Sequence, residues 1–184
     1  ARLTSPARAR LVDSHCHLQA DRFGGDVEIV LGTARAAGVE RILVPGWNAG
    51  SSASALALAE RLPGLDVAAG IHPHDAADAD EAAWREIARL AGRPGVVAVG
   101  ETGLDYDRRF SSIEAQLVNL RRHLALARDL GRPVVLHCRS AAGRQDAHDA
   151  LLRELDRAAV GGGDRPAAII HSYSGPLDYG HEVI

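Results

Sequence analysis

The sequence predicts a parallel α/β fold, in which consecutive strands are joined through helices. Two observations predict it. Short apolar runs alternate with amphipathic stretches along the chain, the pattern of repeated βα units. Most of the apolar runs are continuous, as expected of strands covered on both faces. Six runs qualify as strands: Leu11–His17, Val39–Gly46, Asp66–His72, Val96–Glu101, Pro133–His137 and Ala167–His171.

Five helical stretches lie between them. Val27, Val30, Leu31 and Ala34 keep helical spacing up to Gly38, which is placed to stop the helix. Ser52 to Leu62 is less regular and ends at Pro63-Gly64. Trp84, Ile87, Ala88 and Ala91 run to Gly92. Leu117, Leu120, Leu124 and Ala127 run to Gly131, and Ser111-x-x-Glu114 reads as a capping box opening that helix. Ala147 to Leu155 is the fifth, ahead of the Gly161–Gly163 run.

Six such units suit an open doubly wound sheet or a closed barrel. The glycine pattern that cradles phosphates in nucleotide-binding sheets is missing after the first strand, where the residues are DSHCHLQAD. That weakens the open-sheet alternative. A (β/α) barrel of eight units needs about 250 residues. The 184 residues are therefore expected to cover about six of the eight βα units of a TIM-type (β/α) barrel. Residues 1–184 read as a single barrel domain lacking its C-terminal part, and Pro176–Ile184 reads as the opening of a further helix.

Composition narrows the class. Hydrophobic residues at 46% and charged residues at 24% are ordinary for a soluble globular protein. No apolar run approaches the roughly 18–20 residues of a membrane span. The first ten residues carry three arginines as a basic lead-in but open no apolar segment, so no signal peptide is expected. A net charge of -3 excludes a globally basic nucleic-acid binder. It leaves room for an enzyme on phosphodiesters, where bound cations and a few arginines supply local positive charge. Cys16 and Cys138 cannot build a disulfide framework, and a cytoplasmic setting is the default expectation.

The placement of the nine histidines carries the chemistry. Strand one ends His15-Cys16-His17, strand three in His72, strand four in Glu101, strand five in His137 and strand six in His171. A parallel barrel gathers its strand C-termini at one mouth, so these groups converge although distant in sequence. Alternate strand residues share a face, which turns His15 and His17 inward and Cys16 outward. Two such imidazoles can grip one metal ion. The other histidines have plainer readings. His123 and His148 lie in helices as surface or packing residues, His181 is exposed in the tail, and His74 is structural or solvent-facing. Cys16 and Cys138 fill the layer between strands and helices as small apolar groups. Trp47 and Trp84 read as packing residues, with Trp47 at a strand end where it could line a cleft.

Five segments carry a family likeness: DSHCHL at Asp13–Leu18, GIHPH at Gly70–His74, VGETGLDY at Val99–Tyr106, LHCR at Leu136–Arg139 and IHSYSG at Ile170–Gly175. In order and spacing they resemble the TatD family of metal-dependent deoxyribonucleases, within the amidohydrolase-like barrels. The resemblance implies two divalent metal ions (Mg²⁺, Mn²⁺ or Zn²⁺). His15 and His17 would hold one and His137 and His171 the other, with Glu101 bridging both as the catalytic carboxylate. It places His72 and Arg139 beside the substrate phosphate, and Asp105 and Tyr106 in shaping the loop next to Glu101. It further implies a divalent-metal-dependent hydrolase cleaving phosphodiester bonds in DNA, in the form of a 3′–5′ exodeoxyribonuclease, with RNA as another substrate.

One departure stands out. The family carries an aspartate near the seventh or eighth strand end in a TDSP-like motif, expected to bind metal and orient the attacking water. No such motif occurs in these residues. Two alternatives therefore remain. One is a related barrel hydrolase acting on lactones, amides or phosphotriesters, although those enzymes bridge their metals with a modified lysine on strand four, where this chain has Glu101. The other is a catalytically inactive metal-binding scaffold.

Overall fold

A computed structural model describes residues 10–160, 167–173, 175 and 177. Most of the basic lead-in, the Gly161–Gly163 run, most of Pro176–Ile184 and His181 lie outside the described residues. Six strands form one parallel sheet in the order β1 to β6: β1 Leu11–Asp13, β2 Val39–Pro45, β3 Leu65–Ala69, β4 Val96–Asp105, β5 Val134–Arg139 and β6 Ala168–Ile170. This is a half-barrel of the expected α/β type. Among the described residues β1 and β6 are its edges, and Val12 and Ile169 are exposed there.

Five α-helices return the chain between strands: α1 Val27–Ala37, α2 Ala49–Arg61, α3 Glu81–Ala91, α4 Ile113–Leu130 and α5 Asp146–Ala158. Gly38 and Gly131 close α1 and α4 in the left-handed region, as their positions predict. α2 starts three residues before the expected Ser52. Asn48 accepts from Ser51 N at 2.9 Å, and the Ser51 hydroxyl accepts from Asn48 N, a reciprocal cap that the spacing had not revealed. In α3 the buried stripe is Trp84, Ile87, Leu90 and Ala91, while Ala88 faces solvent. The cap of α4 also differs from expectation. Ser112 accepts from Ala115 N, and Ser111 is free for another task. Its hydroxyl accepts from Ala77 N and donates to His74 O, tying the β3–α3 loop to the β4–α4 loop.

Strand alternation separates two faces. Val44, Val67, Val99, Val134 and Leu136 pack outward against the helices in two large apolar clusters. Leu43, Ala68, Ala98 and Val135 form a small cluster on the other face. Cys138 belongs to the outer layer and Cys16 packs against it, as expected. Burial raises the Cys138 thiol to about 12, so it acts as an apolar filler.

β4 and β5 run further than expected because they pair together beyond an irregularity between Val99 and Thr102. Thr102 pairs with Leu136, Gly103 with His137, and Asp105 with Arg139. Gly103 has φ 138°, and a Cβ there would overlap the His137 carbonyl oxygen. Behind this segment, α4 turns a polar face inward. Ile71 N donates to His123 Nε2 at 2.9 Å, so the ring proton sits on Nδ1, 2.9 Å from Asn119 O. Asn119 Nδ2 donates to Ile71 O at 2.7 Å and to Thr102 Oγ1 at 3.2 Å. His123 is fully buried and is a packing residue, as expected.

Gly103→Ala is expected to cost more than about 2 kcal/mol, read from urea denaturation, because neither backbone nor neighbour can yield. Burial holds the His123 ring at about 4, against an ordinary value of 6.5. The unfolded chain therefore takes up this proton first, and stability from His123 is complete above pH 6.5 and falls as pH drops toward 4. In denaturation midpoints at pH 7.5 and 4.5, His123→Gln should show a smaller difference than the parent chain.

Candidate metal centre

The strand ends bring the predicted residues together, though by less regular means than simple strand ends. β1 stops at Asp13, so His15 and His17 follow it rather than belong to it. The Asp13 carboxylate accepts from His15 N at 3.0 Å, a local bond that turns the chain out of the strand. Cys16 N still donates to Leu43 O, which keeps the segment along β2 with Cys16 against the core. β3 likewise stops at Ala69, and at Gly70 the backbone passes so close to Gly100 that an added Cβ would lie 2.5 Å from it. His72 then caps a single turn, Pro73–Asp75, with Nδ1 accepting from His74 N at 3.2 Å. His171 follows β6 directly and donates its backbone N–H to Leu136 O. Glu101 lies inside β4, not at its end, and His137 lies inside β5; both corrections follow from the extended β4–β5 pairing.

Glu101 is the hub. It is 2% exposed, and its backbone N–H donates to Gly46 O. Its two carboxylate oxygens face different partners. Oε2 lies 3.2 Å from His15 Nε2 and 3.7 Å from His17 Nε2. Oε1 lies 2.6 Å from His171 Nε2, 3.3 Å from His137 Nδ1 and 3.4 Å from His72 Nε2. Burial alone would raise the Glu101 carboxyl, but His137, His15, His171 and His72 outweigh it and hold the group far below the usual carboxylate range. It is ionised at neutral pH.

The outer bonds of the rings set where their protons sit. His17 Nδ1 is 2.9 Å from the Pro45 carbonyl, which can only accept, so Nδ1 carries the proton and Nε2 is bare. His137 Nε2 is 3.2 Å from the Asp105 carboxylate and donates there, which turns Nδ1 toward Glu101. His72 is the reverse, with Nδ1 accepting and Nε2–H turned to Glu101. Burial lowers the His17 and His72 rings below their ordinary value, which favours these neutral forms. The bare Nε2 of His17 thus faces an ionised carboxylate, and His15 Nε2 approaches it at 3.3 Å. Such lone-pair crowding is relieved by cations, and nitrogen-plus-carboxylate sets of this kind suit Zn²⁺ or Mn²⁺. Two groups have the required compactness: His15, His17 and Glu101, and Glu101, His137 and His171, each with ligand atoms within 4.8 Å of one another.

Two residues of this neighbourhood do more than the sequence reading assigned them. His74 was expected to be structural or solvent-facing; its Nε2 donates to Asp105 Oδ2 at 2.8 Å, and its ring lies 4.3 Å from that of His72. With His72 and His137 it makes a third compact group. Asp105 shapes the loop as expected, with Oδ1 accepting from Asp107 N and Arg108 N, but its Oδ2 also receives His74 and His137. Burial raises its carboxyl, and the Arg108 amide and His74 bring it down to about 2. Both stood inside the quoted motifs, GIHPH and GLDY, and only a contact across two loops separates them from bystanders. His148 is buried beside the Ser140 hydroxyl. Trp47 stands edge-on to His17 at 5.4 Å, whereas Trp84 packs against His123 and under the Arg122 guanidinium. Arg139 ends β5 and makes no side-chain hydrogen bond or ion pair among the described residues; it lines a cleft of about 710 Å³ with Asp107, Ser140, Arg144 and Gln145.

Comparison with known proteins shows the family to which the chain is similar. The sequence profile of the family described as TatD related DNase matches residues 12–184. A protein of Edwardsiella piscicida named 3'-5' ssDNA/RNA exonuclease TatD is 40% identical over 170 residues, covering 91% of this chain and 62% of that protein. One of the same name from Musicola paradisiaca is 39% identical, covering 91% and 61%. The chain thus spans less than two thirds of the length of these relatives. Among solved structures, the TatD homologue YJJV of Escherichia coli superposes with a TM-score of 0.82 at 35% identity, over 95% of this chain and 64% of that one. A TatD family hydrolase of Entamoeba histolytica shares the fold, with a TM-score of 0.83 at 23% identity over 96% and 63%. A profile match across nearly the whole chain, on the segments that build the Glu101 centre, shows that the chain belongs to the TatD related DNase family.

Proposed function

We propose that this chain carries the centre of a divalent-metal-dependent phosphodiesterase acting on DNA, in the form of a 3′–5′ exonuclease, with RNA as a further substrate. The observation that carries the reading is the division of one buried, ionised carboxylate between two sets of imidazoles, His15 and His17 on Oε2, His137 and His171 on Oε1. That donor set fits two divalent cations sharing Glu101. When bound, they would polarise a phosphoryl oxygen and make a water nucleophilic at neutral pH. The curated relatives named above are 3'-5' ssDNA/RNA exonucleases, which supports the substrate class.

The chain's own residues take distinct parts in this reading. Glu101 holds the negative charge that both cations would share. Asp105 fixes the His137 ring by accepting from Nε2, so that Nδ1 stays a lone-pair donor. His72 keeps a proton on Nε2 beside Glu101 and can give a hydrogen bond to a phosphoryl oxygen seated there. Arg139, without an acid partner among the described residues, supplies positive charge at the neighbouring strand end. A lysine-bridged centre, as in lactone- and phosphotriester-cleaving barrels, is disfavoured because the sequence contains no lysine. Among the described residues no helix is long and apolar enough to cross a membrane, and both cysteines are free.

Incubation of the chain with an end-labelled single-stranded oligonucleotide and Mg²⁺ or Mn²⁺ is expected to release nucleotides stepwise from the 3′ end. Glu101→Gln should lower that rate at least about hundredfold; normal cleavage by this variant would remove the bridging role. Metal uptake without turnover would favour the inactive scaffold. Asp105→Asn, which leaves every proposed ligand in place, is expected to weaken metal binding about 10- to 100-fold in titration calorimetry.

A further inference from the structure

The loop between β4 and α4 presents a feature that the hydrolytic centre does not use. Phe110 is 68% exposed, and its ring stands edge-on to His74, with centroids 4.7 Å apart. A single exposed aromatic is ordinary on a protein surface. This one is held in place and adjoins the centre. His74 bonds to Asp105, the same carboxylate that receives His137. Asp105 also accepts from the Asp107 and Arg108 amides, and Arg109 Nε donates to Tyr106 O with Arg109 in the left-handed region at φ 51°. The ring therefore projects from a pinned loop. Arg108 and Arg109 precede it, both exposed and without a salt bridge among the described residues; Asp107 is the one acid in the loop. At the opposite side of the centre Trp47 stands against His17.

An open aromatic face next to exposed guanidiniums matches the chemistry of an unpaired nucleotide. The ring can stack on a base of any sequence and the arginines meet its phosphate, whereas a base inside a duplex offers no free face. We propose that Phe110, backed by His74 and flanked by Arg108 and Arg109, is the stacking platform that seats an unpaired base beside the scissile phosphodiester. Phe110 thereby becomes a specificity residue for single-stranded over double-stranded ends. The inference rests on the phosphodiesterase reading above and adds to it the residue that selects the strand form.

Short oligonucleotides with 2-aminopurine at one end or the other report stacking by fluorescence quenching. They can be titrated onto the chain in EDTA, where metal-dependent cleavage is stopped. The parent chain should quench the single-stranded probe and leave the duplex probe nearly unchanged. Phe110→Ala should lose the quenching and bind about tenfold more weakly, and Phe110→Trp should restore both. With Mn²⁺ present, the loss in kcat/KM for Phe110→Ala should be at least tenfold greater on the oligonucleotide than on methyl p-nitrophenyl phosphate, a diester with no base. Equal loss on both substrates would overturn the platform, since it would mean that the ring only supports His74. Undiminished quenching by Phe110→Ala would overturn it as well. Phe110-dependent quenching in a chain that hydrolyses neither substrate would support the platform and reject the phosphodiesterase reading. Hydrolysis of the base-free diester without any quenching would do the reverse.

Discussion

A carboxylate buried among imidazoles is the interaction on which the rest of this structure depends. Removing an ionised glutamate from water is costly unless nearby groups compensate it. Around Glu101 five rings gather from four separate segments, none adjacent to it in sequence, and His137, His15, His171 and His72 hold its carboxyl ionised. His72 turns a neutral N–H toward it and His171 Nε2 lies 2.6 Å from Oε1, while His17 turns a bare nitrogen to it. The centre thus crowds a carboxylate and the lone pairs of several rings into one buried pocket. Its architecture makes sense as a receptor for positive charge, which ties the energetics of the fold to its chemistry.

The sheet supplies the geometry that this requires. Parallel strands in sequential order deliver each segment that bears a histidine or Glu101 of the centre to the same end, and the ladder between β4 and β5 continues past the irregularity at Val99–Thr102 to set His137 opposite Gly103. The close approach of Gly70 to Gly100 lets the segments bearing His72 and Glu101 converge without side chains between them. Behind them, the Asn119–His123 pair of α4 satisfies the main chain of Ile71 and the hydroxyl of Thr102, the immediate neighbours of those two residues. Ser111 bridges the two loops in front. The site is therefore held from the helix layer as well as from the sheet, and rigid support of this kind keeps ligand atoms in register.

Much of this was legible in the sequence. Continuous apolar runs and glycine stops located six strands and five helices, because burial on both faces and helix termination act locally. His15, His17, His72, Glu101, His137 and His171 were legible as a set since each closes, or nearly closes, its own strand. The misplacements are equally physical. β1 and β3 end earlier than their apolar runs predict: Asp13 turns the chain out of β1 through a bond that spacing does not encode, and β3 ends one residue before the close approach of Gly70 to Gly100. β4 and β5 were drawn too short because each is prolonged by the other. Ser111 and Ser112 are indistinguishable as caps until the neighbouring loop claims one of them.

By itself the sequence determined the class of fold and the types of side chain that gather at its open end, since both follow from the period of apolar residues and from where polar ones interrupt it. Only the tertiary structure decided which oxygen of Glu101 meets which ring, which nitrogen of His17, His72 and His137 faces it, and that His74 and Asp105 stand behind them. Proton position on an imidazole depends on what lies at its far nitrogen. For His17 and His137 that partner is Pro45 or Asp105, residues 28 and 32 positions away along the chain. No local pattern can carry such information, and a folded backbone is needed to bring the partners within hydrogen-bond reach.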